Sequence, residues 1–399
     1  MTSTVTRAPS SDFDPFSTEV LSDLHFHDGI LREVAPVVDI EKYGFYAVTR
    51  HVDIQKALRD WRTFSSTDRP FYQPNPFRPV APLMQDPPDH TQTKAVMLRI
   101  FSRENMAKMA AYFTETAENT VDALLARGPV SLDAYHDVAA QYVLKVFPDV
   151  LGLPTEGREL LLNFGDAVFN AFGPQNEHHF EKMRNGAPAL EWVETNMKRE
   201  LQAEGGIGWQ LYTAADEGVI SEAEAEQLLK AVLGAGFDTT IFGISGALRA
   251  FADNPDQWQL LRSRPALVEA AFEEALRLYP PSRFGGRVAT KDTQLAGIEI
   301  PSGTRLLMMW LGAGRDPRKW PDPDTFRIDR DNPGGHLSFG FGIHTCAGQA
   351  VARLEAKSLL TALLNRVERI ELDGEPRRAL NFQAFGHDRI PVRLVPASR

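Results

Sequence analysis

Phe339-Gly340-Phe341-Gly342-Ile343-His344-Thr345-Cys346-Ala347-Gly348 holds the only cysteine of the chain. A free cysteine is usually a buried, inert small hydrophobe. This one sits among glycines, which free the backbone to approach a neighbour closely. A helical pattern starts just after it and points its N-terminus at the sulfur. The positive end of a helix stabilises a thiolate. The arrangement suits a nucleophile, a redox thiol or a metal ligand.

Outward from this loop, Gln349–Val367 reads as the helix that follows it. Residues 51 to 278 are mostly helical in pattern, with Ser102–Ala126, Tyr135–Leu151, Leu190–Glu204 and Ser221–Ala252 as examples. Ser221 and Glu224 form a capping box and Asn254-Pro255 a stop, which bound a helix long enough to cross a domain. Two short β-rich pieces flank Lys42-Tyr43-Gly44 within residues 34–50. After Pro280-Pro281 the pattern turns to short strands (Val288–Arg305), then a loop rich in Pro, Asp and Trp (Arg315–Asp331). The tail, Phe382–Val395, is strand again. The expected fold is mainly α (α+β), with small sheets. Residues 1–12 read as a disordered arm and residues 13–399 as one domain.

The 399 residues carry 43 Lys+Arg against 53 Asp+Glu, a net charge of −10, with no basic run, which argues against nucleic-acid binding. The apolar run Leu306–Gly314 is too short to span a bilayer. The polar N-terminus has no apolar signal region, so the expectation is a cytoplasmic protein with no membrane contact. One cysteine excludes an internal disulfide and any zinc site built on two thiolates.

The pattern Phe-x-x-Gly-x-x-x-Cys-x-Gly, carried by Phe339, Gly342, Cys346 and Gly348, resembles the haem-binding loop of the cytochromes P-450. The resemblance implies a helix-rich fold with haem b held between a long distal helix and the Cys loop, Cys346 as axial ligand, and O2 as co-substrate. Cys-x-x-Cys-His is absent, which excludes covalent c-type attachment. Glu274-Ala275-Leu276-Arg277 resembles the family's Glu-x-x-Arg pair, which implies a buried structural pair fixing a meander at Pro321–Arg330. Ala235-Gly236-Phe237-Asp238-Thr239-Thr240 resembles the distal-helix motif. There Gly236 would leave a groove for O2, the Thr239 hydroxyl would leave its i−4 carbonyl, and Asp238 would relay protons. By the same resemblance His90, Lys94, Arg287 and His344 would hold the haem propionates. A Lys at position 94, where Arg is commoner, gives up the bidentate fork.

The resemblance covers roughly residues 36 to 395 and fits the soluble bacterial type. That type is served by a ferredoxin and a ferredoxin reductase. No Gly-x-Gly-x-x-Gly module is present to collect hydride directly. Arg353 is the candidate to face an acidic ferredoxin, and a monomer is expected. Against a monooxygenase stand a haem-thiolate ligand or gas carrier, a peroxide-driven enzyme and a cysteine hydrolase built on Cys346 and His344. Asp238 and Thr239 argue against the first two, and the lack of a third group to orient His344 argues against the last.

Ser66, Arg69, Phe71, Phe169, Phe172, Ala231, Gly234, Phe284, Phe382 and Phe385 are the candidate lining of a substrate pocket. Several Phe rings around one cavity suit a small, flat substrate. The run Val168-Phe169-Asn170-Ala171-Phe172-Gly173-Pro174 resembles bacterial P-450s that O-demethylate para-methoxybenzoates. That implies a para-methoxy-aromatic, benzoate-like or alkyl-guaiacol-like, with a terpenoid or fatty acid as the alternative. The family's carboxylate-binding serines are replaced here by Ala231 and Gly234. Arg69, Ser66 or Arg283 would have to take over for a benzoate.

Overall fold

The long helix Glu222–Asp253 runs through the centre of the core, and the computed structural model describes residues 6–67 and 81–398 around it. Its capping box is formed as expected: Ser221 Oγ accepts from the Glu224 N–H (3.2 Å), and the Glu224 carboxylate accepts from the Ser221 N–H (2.7 Å). By length and hydropathy this helix is able to cross a membrane, but most of its apolar stretch is buried inside the protein. It is the core helix, apolar on nearly every face because other elements surround it.

Arg103–Leu125, capped by Ser102, and Gln349–Arg366 pack side by side. Val268–Leu278 lies against both the long helix and Gln349–Arg366. Tyr135–Leu151 is two pieces: a π-helical turn, Ala134–Ala140, leads into Gln141–Leu151. The expected helix at Leu190–Glu204 instead begins at Glu177 and ends at Asn196. Gln202 closes that end, donating from Nε2 to the carbonyls of Asn196 (2.7 Å) and Lys198 (3.0 Å).

The largest sheet has five strands in the order Val37–Ile40, Phe45–Val48, Arg305–Met308, Gly285–Ala289, Phe64–Ser65. The hairpin around Lys42–Gly44 is present, with Gly44 in the left-handed region at φ 61°. Val130–Asp133, Pro391–Pro396 and Val367–Leu372 form a second sheet. The expected free arm is not free over its described part. Thr6 pairs with Gly297 and Glu299, and Pro9 and Ser11 pair with Asp39. Backbone hydrogen bonding to an edge strand holds this segment despite its polar composition.

Candidate active site

A cavity of about 330 Å³ opens between the long helix and the Cys loop, with largely apolar walls. On one side stand Ala235, Gly236 and Thr239, and on the other Phe339, Cys346 and Gly348. Two glycines shape the loop that presents the sulfur. Gly340 and Gly342 have φ of 69° and 72°, a region that disfavours any side chain. The Cys346 N–H donates to the Phe339 carbonyl (2.8 Å) and closes the turn.

Cys346 is exposed, and the surface it exposes faces the cavity. Protein otherwise surrounds it, and that burial pushes the thiol up. The Gly348 and Gln349 N–H groups, with Lys94 and Arg353, act in the opposite direction. These are the groups that stabilise a thiolate.

His90, Lys94 and His344 line one edge of the cavity, with the His90 and His344 rings 4.4 Å apart. Arg287 is buried in the neighbouring strand and donates to the Gly286 carbonyl (2.6 Å). His90 Nε2, His344 Nε2 and Arg287 Nε are buried without a hydrogen-bond partner. Burial, followed by the charge of Arg287, pushes His344 down to about 2, and burial with Lys94 lowers His90. Orphaned donors crowded at one cavity edge call for anions. The two carboxylates of a haem fit that demand, and the cavity-facing sulfur fits its axial site. At Gly348 a Cβ would meet nothing within 4 Å, so the floor beside the sulfur is open. Lys94 Nζ itself donates to the Thr345 carbonyl next to the cysteine.

Beneath the loop, Arg277 Nε and Nη2 donate to the two Glu274 oxygens at 2.8 and 2.9 Å, with neither side chain exposed. Arg277 also donates to the carbonyls of Gly314, Pro323 and Thr325. Arg330, which sequence reasoning missed, completes the unit by donating to Glu274 Oε1 at 3.0 Å. Arg353 does not stand free for a partner. It grips Glu273 with two bonds (2.7 and 3.0 Å) and lies over the Phe339 ring at 4.4 Å. His336 holds the same Glu273 from the other side (3.2 Å).

On the distal side the geometry corrects two expectations, at Thr239 and Gly236, and places Asp238. The Thr239 hydroxyl stays on its i−4 carbonyl, Ala235 (2.7 Å), although it faces the cavity. The position where a Cβ would stand at Gly236 is filled by the Phe147 ring, 2.1 Å away, so the expected groove is occupied. Asp238 is buried behind the cavity wall and not on it. Its Oδ2 would be 2.6 Å from a Cβ at Gly165, in the helix Leu161–Asn170. Burial, reinforced by Asp166, pushes Asp238 up to about 8.

Phe169, Phe172, Ala231 and Phe284 line the cavity as expected. Five candidates do not. Gly234 packs on Phe164. Ser66 is fully buried under Asp86, which accepts from its N–H (3.1 Å). Phe385 is held between His25 and Arg378. Arg283 is buried against Asp28 (3.3 Å) and the Pro15 carbonyl, so it has no reach to a substrate. Phe382 lies against Gly173 and is not among the lining side chains. Arg69 and Phe71 lie outside the described residues. The cavity also gains Leu83, Trp310 and Glu355, none of which the sequence singled out, and Gln383, which lies in the tail loop Phe382–Phe385 expected there. Glu355 is fully buried with neither oxygen hydrogen-bonded, and burial pushes it well above the carboxylate range. The neighbouring Thr240 hydroxyl donates to the Gly236 carbonyl instead (2.8 Å).

The Asn170 amide and the Asp166 carboxylate tie down the roof. Asn170 Nδ2 donates to the Asp166 carboxylate (3.0 Å), while Asn170 Oδ1 accepts from the Phe382 N–H and lies 3.1 Å from His178 Nε2. This joins the helix Leu161–Asn170, the following helix and the C-terminal loop over the cavity.

Comparison with known proteins agrees with this geometry. The profile of the family described as Cytochrome P450 matches residues 131–386. Cytochrome p450 CYP199A2 of Rhodopseudomonas palustris is 39% identical over 98% of this chain and 95% of its own length. A beta-dihydromenaquinone-9 omega-hydroxylase of Mycobacterium tuberculosis is 31% identical over 97% of this chain and 79% of its own. Among solved structures, cytochrome P450 CREJ in complex with (4-ethylphenyl) dihydrogen phosphate superposes with a TM-score of 0.83. It is 25% identical and the match covers 96% of this chain and 99% of that one.

Proposed function

The chain belongs to the cytochrome P450 family of haem-thiolate monooxygenases, and from that premise we propose that it removes the methyl group of a small para-methoxy-aromatic. The observation that carries this reading is that Phe169, Phe172 and Phe284 line the cavity together with Ala231. Such rings grip a flat aromatic by edge and face contacts. Beside Phe284 stand Ser282 and Gln383, both uncharged, with Gln383 Nε2 donating to Ser282 Oγ (2.9 Å) and to the Phe284 carbonyl. A neutral para-substituent suits that wall. A carboxylate there would rest on Arg69, since Arg283 is committed to Asp28. The ligand named for CREJ, (4-ethylphenyl) dihydrogen phosphate, is also a para-substituted ring, with an acidic group at one end.

Bound haem b, with Cys346 as its thiolate ligand, supplies the reductive activation of O2. The overall reaction consumes the methyl ether, O2, two electrons and two protons. It yields the phenol, formaldehyde and water. His90, Lys94, Arg287 and His344 would hold the two propionates and fix the haem plane. Phe169, Phe172 and Phe284 orient the methoxy carbon and keep water out. Asp238 would hold a proton at its carboxyl behind the wall, and Thr239 Oγ1, on the next residue, would pass it to the cavity. The electrons would come from a ferredoxin and its reductase.

The test is a spin-state titration of the purified holoenzyme with 4-methoxybenzoate, 4-methoxyphenol, a 4-alkylguaiacol, a terpenoid and a fatty acid, followed by formaldehyde assay with a ferredoxin system. Tight binding of a neutral methoxy-aromatic with stoichiometric formaldehyde is expected. No spin shift with any methoxy-aromatic overturns the substrate class.

A further inference from the structure

Near the C-terminal end of the long helix, two arginines and two histidines close into a ring of contacts. His25, on the helix Leu24–Val34, meets the Phe385 ring edge-on with centroids 4.9 Å apart. The Arg378 guanidinium lies over the same Phe385 ring at 4.3 Å. Arg378 stands opposite His387 where Arg377–Arg378 pairs with His387–Arg389. His387 Nε2 is in hydrogen-bond contact with Arg249 Nη1. Arg249 is one turn beyond Gly246 on the long helix, and a Cβ at Gly246 would be 3.2 Å from Tyr279 Cβ. The Tyr279 ring closes the circuit on His25 at 5.9 Å.

The nearby acids pair at the rim of this ring. Asp253 accepts from Arg249 Nε (3.2 Å), Asp324 from Arg315 Nη1 (2.6 Å) and Asp388 from Arg377 Nε (2.7 Å). Among the described residues Arg378 has no ion pair, and its one side-chain hydrogen bond goes to the Gly386 carbonyl (3.3 Å). Arg378 Nε and both ring nitrogens of His25 are buried without a hydrogen-bond partner. Burial and then Arg249 push Arg378 down to about 10, while Asp23 opposes this through space only. Burial, followed by Arg315 and Arg378, holds His25 well below the ordinary imidazole range. A buried guanidinium without a counter-charge is costly, and buried donors without acceptors add to that cost.

We propose that this ring is an anion site, distinct from the haem pocket, that holds an oxyanion of the phosphate or sulfate class against the Arg378 guanidinium and the His25 imidazole. None of His25, Arg249, Arg378 and His387 lines the haem cavity. A guanidinium fork matches two oxygens of a tetrahedral anion, and an imidazole N–H takes a third. Arg249 and Arg315 have side chains 23% and 16% exposed, so they bring positive charge to the solvent edge where an anion enters. The bound anion joins the helix Leu24–Val34, the long helix and the C-terminal loop, three segments distant in sequence. Gln383 of that loop lines the haem cavity, so the site braces one of its walls from behind.

The experiment uses the haem-loaded protein, so that the haem pocket is filled, in a zwitterionic buffer at neutral pH and constant ionic strength. Inorganic phosphate, sulfate, glycerol 3-phosphate and chloride are titrated by calorimetry into wild type, Arg378→Met, His25→Phe and, as the control, the outward neighbour Arg377→Met. Saturable binding of phosphate or sulfate is expected in wild type. Arg378→Met weakens it about tenfold or more, the loss of one charge-assisted contact. His25→Phe weakens it less, and Arg377→Met leaves it unchanged. Glycerol 3-phosphate that binds as phosphate does, with the same dependence on Arg378, supports the site and identifies a phosphate ester as an occupant. Binding of inorganic phosphate without the ester supports it and identifies the free ion. Melting curves separate an anion site from a structural arginine. Without anion, Arg378→Met melts no lower than wild type, because it removes an unbalanced charge. With saturating phosphate it melts below wild type. A variant that melts lower by the same amount in both buffers overturns the proposal. So does a wild type that binds chloride alone or no anion, or phosphate binding that survives intact in both Arg378→Met and His25→Phe.

Discussion

Glu274 and Arg277, one helical turn apart, form a two-pronged ion pair with no solvent access on either side. Arg330 adds a third charge, and three backbone carbonyls take the remaining Arg277 donors. The unit holds the loop that ends in the Cys segment. Glu274→Ala leaves two buried guanidinium groups unpaired, at a cost of about 3–5 kcal/mol. A fall in folded, haem-loaded yield is expected, with a lower melting temperature; full haem content and unchanged melting would contradict the assignment.

Cys346→Ala removes the sulfur that faces the cavity but leaves the hydrogen-bond donors at His90, Lys94, Arg287 and His344 intact. Haem is expected to be retained at reduced occupancy. The ferrous CO complex loses its thiolate-type absorbance, and O2-dependent turnover disappears. Survival of that spectrum would place the ligand elsewhere.

Asp238 gives stability a pH dependence of defined sign. Its carboxyl is raised from 3.8 to about 8 by burial and then by Asp166. Between those limits the folded protein keeps a proton that the unfolded chain has released. Its contribution to stability therefore falls as pH rises, by at most about 1.4 kcal/mol per pH unit. Melting curves from about pH 5 to about pH 8 should show wild type losing ground to Asp238→Asn. Parallel pH profiles for the two proteins would show that the carboxyl titrates normally.

Gly236→Ala tests the corrected role of that glycine. The added methyl meets the Phe147 ring, and displacing a packed ring costs about 1–3 kcal/mol. Alanine returns up to about 1 kcal/mol of helix propensity. The expectation is a net loss of stability together with a changed ligand affinity, because Phe147 lines the cavity. Equal or higher stability with unchanged affinity would show that the ring moves freely.

Much of this was legible in the sequence where the signal is local. The capping box at Ser221 and Glu224 marked the long helix to within a residue, and the glycines around Cys346 marked the turn that presents it. The helix Glu177–Asn196 was misplaced because its packing face is built from small residues. Gly186 rests on Ala167, and Pro188 interrupts the pattern, so no apolar stripe announces it. Direction was the other blind spot. Arg283 and Phe385 have the right chemistry for a pocket but turn toward Asp28 and toward His25 with Arg378. Partners distant in sequence, such as Arg330 for Glu274 and Asp166 for Asp238, leave no local trace at all.

Asn170 has a bearing on time as well as on shape. Its amide joins the roof helix to the Phe382 N–H and to His178, so the roof lifts only when these bonds break together. The Phe382 amide proton is then a clock for the cavity. Its exchange with deuterated solvent proceeds no faster than the roof opens, and a ligand that holds the roof shut slows it as the ligand-free fraction of the protein falls.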